Sequence, residues 1–504
     1  MADFTPAKYD NPPRTNTLRW LLPALLLVLA VRLPGLSDMA LPDYDSVRNW
    51  QIVQEIAHGN LRHLFYHASP GFYLLFAPVA ALQPNFHWFL YLNVLLSTVA
   101  VGVLAISIGQ IVHLRPPEMA LLALLIGTST FLTFAARDFT MNAVMLLAFA
   151  GLFQAYYRRL QHPSRRALLT ATAWLALGLC FNYKFLFCLP ILAVLEWRVG
   201  DGLLRQPGYF RWVLLVLVAP YLLLGLVGWV GGLPWWRWPA TYYGILFPAA
   251  DNAAGRTGNF RLDLLYYPRY LVAFESPVQW LGLLLFPVAF WRELRRGWQR
   301  PNGLFYLAVW AYCLLGGLSL LLKAPRGLLF AYGLFAALGF LVVRKLLRGR
   351  LGWLTGAISL AVVGNMVQIQ WEIYAYSASS YPAVAQWLQA HDSHNTASTV
   401  SLALAPYLAP DSLAVITDEK QLPALRQRGY RYVVLDGYWR VTGIARFDSL
   451  RHQRPLATWR EPLLTSPLLF LEHSEFSGID YPETMRRQRA AARDTAQVAV
   501  FELK

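Results

Sequence analysis

Cysteines and charged side chains are scarce in this sequence. Only three cysteines occur in 504 residues, and all three lie inside apolar segments, so neither a disulfide framework nor a cysteine metal site is expected. Charged residues make up 14% of the chain and hydrophobic residues 56%, a balance too apolar for a soluble enzyme. The sequence also has no internal repeat and no low-complexity linker. The chain is therefore predicted to be a multi-pass membrane protein.

Long apolar segments account for this composition. Most span roughly 17–25 residues, which allows a helix to cross a hydrocarbon core about 30 Å thick. The first segment follows basic residues but lacks a small-x-small cleavage motif, so it is interpreted as an uncleaved membrane span. About eleven spans are predicted, two of them short, at residues 18–36, 86–113, 119–135, 138–157, 168–182, 185–197, 212–231, 278–291, 304–322, 327–343 and 352–371.

The basic residues predict the orientation of these spans. A net charge of +16 does not indicate nucleic-acid binding, because Lys and Arg fall mostly in short connections, where they mark cytoplasmic loops. With the N-terminus inside, an odd number of spans places the loop 37–85 and the end of the chain outside. This predicts a transmembrane domain over residues 1–371 and an extracytoplasmic domain over residues 372–504. A bacterial inner membrane, with the second domain in the periplasm, fits this pattern.

The C-terminal region changes to a mixed polar and apolar pattern. Alternating short helices and strands indicate a small α/β layer domain. It contains neither a glycine-rich phosphate loop nor a recognisable catalytic motif. Helices are predicted at residues 381–390 and 419–428, and strands at residues 399–404, 413–417, 430–435, 468–472 and 498–503.

The first outer loop carries the densest group of chemically useful side chains. Asp43 and Asp45 form a carboxylate pair at the membrane surface that could act as a base or bind a metal. Alternatively, Asp45 only caps a helix over residues 46–58. Arg48 lies on the same helix face as Asp45 and could orient it or bind a phosphate, or form a plain ion pair. His67 and two nearby histidines are predicted to be solvated or to contact substrate rather than to bind metal.

Further charged residues are predicted at the outer ends of later spans. Asp138 begins the fourth span, where a carboxylate is costly unless it is paired or faces a wet cavity; the alternative is a surface ion pair with Arg137. Lys and Arg are usually concentrated in cytoplasmic loops, so basic residues at the outer ends of spans indicate an anionic ligand. Each of them could instead be an interfacial residue that extends its charged group towards water. These residues are Lys184, Lys323 and Arg326. A long aromatic loop over residues 232–277 could cover a lipid carrier or stack on a sugar.

Together these motifs resemble the C superfamily of membrane glycosyltransferases, especially the protein O-mannosyltransferase and aminoarabinose transferase group. Asp45 matches the Asp of that group's Asp-Glu pair, and Arg48 matches the Arg that follows it in the aminoarabinose enzymes. Two departures stand out: Ser46 replaces the Glu, and Ser69 replaces the Lys that precedes Pro70 in the aminoarabinose enzymes. These two departures from the pattern imply a substrate different from that of the aminoarabinose enzymes.

The resemblance implies an enzyme that transfers a sugar from a polyprenyl-phosphate donor to an acceptor hydroxyl of a protein, lipid or glycan. Asp45 would activate the acceptor in a single inverting displacement, and Asp138 would position the acceptor or help to hold a divalent cation, whose requirement is left open. The substrate-binding residues would be Asp43, Arg48, His67, Lys184, Lys323 and Arg326. The alternative function is a transporter or flippase of a lipid-linked or polar solute.

Overall fold

The computed structural model describes most of the chain. Residues 248–261, in the middle of the predicted aromatic loop, lie outside the described part. The described residues are 14–200, 202, 204, 206–247, 262–299, 302–321, 323–391, 396–409, 412–442 and 447–503.

A helical domain occupies the first three quarters of the chain, and each predicted apolar segment coincides with a helix. Short 3₁₀ turns lie at Tyr66–Ala68, Tyr183–Phe187 and Pro325–Leu328. The helices are α1 (Arg14–Arg32), α2 (Tyr44–Ala57), α3 (Pro70–Leu82), α4 (Phe86–Ile111), α5 (Pro116–Gly127), α6 (Thr130–Ala136), α7 (Asn142–Gln161), α8 (Arg165–Phe181), α9 (Cys188–Val199), α10 (Pro207–Val230), α11 (Arg237–Leu246), α12 (Tyr266–Phe274), α13 (Pro277–Ala289), α14 (Trp291–Gln299), α15 (Gly303–Leu318), α16 (Leu329–Leu346) and α17 (Leu351–Glu372).

Fewer helices than eleven satisfy strict criteria of length and hydropathy for a membrane span. Among the described residues, four do so, and the number rises to six if two bent helix pairs each count as one span. The protein is thus an integral membrane protein, and the count of eleven stays a prediction. The first two are α4 (Phe86–Ile111) and α10 (Pro207–Val230). The other two ranges are Pro325–Leu346, which joins a 3₁₀ turn to α16, and Leu351–Ala390, which runs from α17 into the next helix, Tyr381–Ala390.

The segment predicted as one helix over residues 119–135 is broken into α5 and α6, which are bent by 71°. Polar side chains satisfy the backbone groups that the break exposes, as a membrane interior requires. Arg32 Nη2 donates to the carbonyl oxygen of Gly127 at 3.1 Å, and Glu275 Oε1 accepts the amide of Phe131 at 2.9 Å. The break turns the chain towards residues 137–140, which carry Asp138.

The first outer loop folds into two helices rather than one. Helix α2 begins one residue after Asp43, whose extended backbone and carboxylate cap it by accepting the amide of Ser46. The suggestion that Asp45 is the cap is therefore wrong, and Asp45 lies in the first turn with its side chain available. Helix α3 was not predicted separately because its apolar sequence lies within a loop. Between the helices, His67 and Ala68 have φ angles of +50° and +55°, a conformation that is uncommon for residues with a side chain.

The C-terminal region forms a small α/β domain around its own hydrophobic core. Strands β1 and β2 pair in parallel, and β5 lies between β3 and β4 in an antiparallel sheet. Its elements are α18 (Tyr381–Ala390), β1 (Ala397–Thr399), β2 (Leu413–Val415), α19 (Leu422–Gln427), β3 (Tyr432–Asp436), α20 (Tyr438–Thr442), α21 (Asp448–Arg451), β4 (Ala457–Trp459), α22 (Pro467–Ser477), α23 (Tyr481–Arg493) and β5 (Val498–Glu502).

Two predicted strands of this domain are misplaced. The strand predicted at residues 399–404 overlaps β1 (Ala397–Thr399) only at Thr399, and the strand predicted at residues 468–472 does not form. Residues 468–472 belong to helix α22, which Ser466 caps and Pro467 starts, as expected for a Ser-Pro helix N-terminus. Its apolar run resembles a buried strand because the helix is enclosed on two sides. Leu468 and Leu471 pack into the core of the membrane domain, whereas Leu469 and Phe470 pack into the core of the C-terminal domain. Helix α22 therefore joins the two cores.

Close helix packing in the membrane domain depends on small residues. Helices α13 and α16 approach each other at Gly282 and Gly339, where a Cβ added to Gly339 would overlap the backbone carbonyl oxygen of Val278. Without a side chain at either position, the backbones can come into direct contact, which is the usual basis of tight helix packing in membranes.

Gly339→Ala is expected to separate α13 from α16 and to lower the apparent melting temperature of the protein in detergent by several degrees, because overpacking of this kind costs about 1–3 kcal/mol. Gly364→Ala in α17 is the matched control, since a Cβ there meets no atom within 4 Å. Equal melting temperatures for the two variants, measured by tryptophan fluorescence, would contradict this view of the interface.

Candidate active site

The candidate site begins at the first turn of α2. Asp43 Oδ1 accepts hydrogen bonds from the amide of Ser46 at 2.7 Å and from its hydroxyl at 2.6 Å. The same hydroxyl lies 2.5 Å from Asp138 Oδ1. Ser46, which stands in place of the expected glutamate, thus joins two carboxyl groups. Nothing in the local sequence links residues 46 and 138, so this contact could not be predicted.

Two asparagines hold Asp138 in this position. Asn93 in α4 donates to the carbonyl oxygens of Asp138 at 2.6 Å and of Ala136 at 3.2 Å. Asn49 in α2 donates to the carbonyl oxygen of Phe139 at 3.1 Å. Because the turn over residues 137–140 is fixed by both neighbouring helices, its carboxyl group is directed at Ser46.

The hydrogen-bond geometry indicates which carboxyl group carries a proton. The Ser46 hydroxyl has one hydrogen and lies between two carboxyl oxygens, so one of them must supply the other hydrogen. Asp43 Oδ1 also accepts the amide of Ser46, so we assign Asp43 as the acceptor of the Ser46 hydroxyl and Asp138 as the partner that carries the proton. Burial and the adjacent charge of Asp43 raise the pKa of Asp138 well above its ordinary value.

The alternative of a surface ion pair between Arg137 and Asp138 is wrong. Arg137 points away from the site, and its guanidinium donates to the carbonyl oxygens of Arg32 and Pro34 and to the hydroxyl of Ser377. The side chain therefore links the end of α1 to the start of the C-terminal domain. Asp138 is buried and is satisfied by Ser46 instead.

The C-terminal domain contributes a histidine to the buried carboxylate. His473 Nε2 in α22 lies 3.1 Å from Asp43 Oδ2, and only 1% of its side chain is exposed. Because Asp43 is assigned as an acceptor, we assign Nε2 as the donor. The ring also packs edge-on against Tyr438. The sequence offered no signal for this residue, because the segment was predicted to be a strand without function.

Asp45 forms a second, more accessible part of the site. Its Oδ1 lies 3.3 Å from His67 Nε2 and its Oδ2 lies 3.4 Å from Arg326 Nη1. The side chain is 19% exposed, compared with 8% for Asp43. Burial alone would raise the pKa of Asp45, but its interactions with His67, Arg326 and His473 lower it below its ordinary value. Asp45 is therefore an ionised carboxylate with access to solvent.

Arg326 is held by the C-terminal domain and by a second cation. Its amide donates to Glu472 Oε1 at 2.7 Å, and its Nε lies 3.9 Å from Glu472 Oε2. Lys184 Nζ donates to the carbonyl oxygen of Arg326 at 3.3 Å. Burial raises the pKa of Glu472 to about 7, although Arg326, Lys184 and His473 oppose the shift. The structure thus brings Asp45, His67, Lys184 and Arg326 together, and Glu472 is an addition that the sequence did not reveal.

Two other predicted binding residues have different partners. Arg48 forms an ion pair with Glu55 at 3.2 Å on its own helix and lies over the ring of Tyr66, so its contact is not with Asp45. Lys323 is buried, and its Nζ donates to the carbonyl oxygen of Leu321 at 2.6 Å. Of the predicted cations, Arg326 contacts Asp45 directly, and Lys184 contacts the backbone of Arg326.

No group of three or more His, Cys, Asp or Glu side chains that could hold a metal is found in the described ranges. The nearest carboxyl pair, Asp43 and Asp138, is joined through the Ser46 hydroxyl. We therefore derive no chemical step through a metal.

The aromatic loop supports the turn that carries His67. Trp238 is buried, stacks on Tyr221 and donates from its indole nitrogen to the carbonyl oxygen of Ala68 at 3.2 Å. This hydrogen bond satisfies a carbonyl group in the left-handed segment. Trp235 and Trp236 remain exposed, as suits residues at a membrane interface.

The buried proton predicts a pH dependence of stability. The pKa of Asp138 is higher in the folded state than the value of about 4 in an unfolded chain. Its contribution to stability is therefore fully present below about pH 4 and is lost as the pH rises towards the folded-state pKa. The melting temperature of the wild type should therefore fall more steeply above about pH 5 than that of Asp138→Asn, which mimics the protonated acid. Asp38→Asn, at an exposed position of the first outer loop, is the control, and parallel curves for all three proteins would contradict the assignment.

Comparisons with known proteins were made for both sequence and structure. No protein-family model and no curated protein sequence matches the chain. Among solved structures, ArnT from Cupriavidus metallidurans bound to undecaprenyl phosphate is similar with a TM-score of 0.57 and 12% identity, covering 88% of this chain and 97% of ArnT. An oligosaccharyltransferase from Archaeoglobus fulgidus is similar with a TM-score of 0.56 and 12% identity, covering 86% of this chain and 70% of its own.

A second structure is the oligosaccharyltransferase AglB from Archaeoglobus fulgidus, in complex with an inhibitory peptide and a dolichol-phosphate. It is similar with a TM-score of 0.50 and 11% identity, covering 84% of this chain and 69% of its own. At such identities the likeness concerns the fold. The resemblance inferred from the sequence is thus confirmed at the level of the fold: the chain is similar in fold to ArnT and to the archaeal oligosaccharyltransferase.

Proposed function

We propose that the protein transfers a sugar from a polyprenyl-phosphate donor to an acceptor hydroxyl at the membrane surface. The observation that carries this proposal is the pairing of an ionised, solvent-accessible carboxylate, Asp45, with the guanidinium of Arg326. Nucleophilic displacement at a sugar requires both an acceptor for the hydroxyl proton and a cation for the departing phosphate. The names of the similar structures, which mention undecaprenyl phosphate and dolichol-phosphate, support a lipid phosphate as the donor's carrier.

Arg326 and Lys184 are proposed to bind the carrier phosphate. In the donor, the phosphate is a diester with one negative charge, and when the bond to the anomeric carbon breaks it gains a second. A planar guanidinium suits two phosphate oxygens at once, and Lys184 lies close enough to contact the backbone of Arg326. Because the charge on the phosphate grows during the reaction, both cations bind the transition state more strongly than the ground state.

Asp45 is proposed to accept the proton of the acceptor hydroxyl. The hydroxyl oxygen forms a bond to the anomeric carbon while the bond to the phosphate oxygen breaks, which inverts the anomeric centre. The lowered pKa of Asp45 keeps it ionised, so it accepts a hydrogen bond first and takes the proton late, once the attacking oxygen has become acidic. Binding of phosphate to Arg326 would weaken the ion pair of 3.4 Å and make the carboxylate a stronger base.

The buried carboxyl groups are proposed to position Asp45. Asp43, Ser46 and Asp138 fix the first turn of α2, and His473 ties that turn to α22. Glu472, which precedes His473 in α22, accepts the backbone amide of Arg326. Asp138 is therefore proposed to act through Ser46 rather than by the direct contact with the acceptor that the sequence suggested.

Asp45→Asn is expected to reduce turnover of a radiolabelled polyprenyl-phosphate sugar by about 100-fold or more, because the amide cannot accept a proton. The assay uses the purified full-length protein in detergent and a panel of carrier sugars and acceptors. Asp38→Asn, in the same loop but exposed, should leave turnover unchanged. Binding of the carrier to Asp45→Asn should be retained, since its cations remain.

Two further results of the same assay decide between mechanisms. Turnover that survives EDTA in the wild type supports the metal-free displacement, whereas complete loss would require a cation. If the wild type binds the carrier without turnover but moves it across liposome membranes, the alternative of a flippase replaces the enzyme.

Arg326→Gln is expected to weaken binding of polyprenyl phosphate about 10-fold to 100-fold, as loss of a charged hydrogen bond worth about 1.5–3 kcal/mol implies. Arg326→Lys should recover part of the affinity, because it restores the charge but not the planar geometry. Arg62→Gln removes an exposed cation of the same outer loop and is the matched control. Equal weakening by Arg62→Gln would mean that only general electrostatic attraction is involved.

A further inference from the structure

A second group of basic residues lies at the opposite end of the helices that carry the candidate active site. Helix α4 starts beside the outer loop, α7 starts four residues after Asp138, and α16 starts three residues after Arg326. These helices contain 26, 20 and 18 residues. At about 1.5 Å per residue, their far ends lie roughly 30 Å from the site, which is the thickness of a hydrocarbon core.

The far ends of these helices enclose a cavity of about 790 Å³, which we refer to as the basic cavity. It opens between the ends of α4, α7 and α16 and the helix α14. Four basic side chains and one acidic side chain contribute to its wall, which are Arg296, Arg344, Lys345, Arg348 and Glu293.

The charges of this wall are only partly balanced within the protein. Lys345 pairs with Glu293 at 3.2 Å, and Arg344 pairs with the fully buried Glu118 at 2.9 Å. Glu118 is also shared with Arg115. Arg348 makes no ion pair with any residue that the structure describes. The basic cavity therefore keeps a positive charge that favours an anion.

The position of α14 places the basic cavity at the depth of lipid headgroups. This helix is bent by 93° from α15, and Trp291 and Trp298 on it are exposed. Exposed tryptophans interleaved with arginines are typical of a helix that lies in the interface plane. A cavity beside such a helix is open to the headgroup layer rather than to the centre of the bilayer.

The wall of the basic cavity also has an apolar part. It is formed by Ile111, Val112, Phe290, Leu304 and Leu341. A soluble anion needs only the charged part of such a wall, whereas a lipid also needs a surface for the first atoms of its chains. The combination fits a phosphate group that is attached to a hydrocarbon.

We propose that the basic cavity binds the phosphate headgroup of an anionic membrane lipid, with Arg296 and Arg348 as its main contacts. Basic pockets between helix ends at the cytoplasmic face suit such headgroups. A bilayer phospholipid and a polyprenyl phosphate share this chemistry, so both are tested. The proposal does not rest on the proposed transferase function, because no residue of the candidate active site takes part.

The test is native mass spectrometry of the purified full-length protein with phosphatidylglycerol, polyprenyl phosphate or phosphatidylcholine added at limiting concentration. The double variant Arg296→Gln/Arg348→Gln is expected to bind phosphatidylglycerol or polyprenyl phosphate at least about 10-fold more weakly than wild type, since each cation near a membrane contributes about 1 kcal/mol. Arg292→Gln/Arg166→Gln is the control, because it removes the same charge from exposed positions outside the basic cavity.

The possible outcomes separate the alternatives. Saturable binding that is lost in the cavity variant and retained in the control supports the proposal, and competition between the two anionic lipids identifies the source of the phosphate. Equal binding by both double variants would overturn it. Displacement of the lipid by millimolar inorganic phosphate alone, or equal binding of phosphatidylcholine, would also overturn it, because neither requires recognition of an anionic lipid.

Discussion

The buried carboxyl group of Asp43 is the group on which the rest of the site depends. It accepts the amide and hydroxyl of Ser46 and the imidazole of His473, so it caps α2, joins the turn that carries Asp138 and attaches the C-terminal domain. A buried charge is stable only when several donors satisfy it. Asp43 has three, contributed by two segments distant in sequence. The partly exposed Asp45, two residues later, takes its orientation from this fixed turn.

Helix α22 links the packing of the protein to the candidate site, because its side chains are buried in two hydrophobic cores. Leu468 and Leu471 are buried with the membrane domain, and Leu469 and Phe470 with the C-terminal domain. The adjacent residues Glu472 and His473 then reach Arg326 and Asp43, respectively. Because neighbouring positions on a helix point about 100° apart, one helix can hold both the cation and the buried carboxylate. The C-terminal domain is thus part of the candidate site and more than an appended module.

The two ends of the membrane domain differ in how their positive charges are balanced. At the end with Asp45, each cation has a specific acidic or carbonyl partner in a partly buried setting. At the other end, the basic cavity is open and its charges outnumber their partners. The first arrangement suits a geometrically demanding reaction, and the second suits reversible binding of a headgroup. Both rest on the same helices, since α4, α7 and α16 connect them.

The sequence by itself determined the membrane character, the positions of most apolar helices and the small α/β domain, and it singled out Asp45, Lys184 and Arg326, which the fold brings together. These features follow from local composition and from charges that are costly in their context. Only the tertiary structure decided that Asp43 rather than Asp45 caps α2, that Ser46 joins Asp43 to Asp138, and that α22 is a helix. The cap of α2 is a local bond, because Asp43 accepts the amide of Ser46 three residues later, but which aspartate forms it depends on where the helix begins. The other two outcomes have a long-range physical reason: Ser46 and Asp138 are 92 positions apart, and α22 is buried by two separate cores, which no local pattern records.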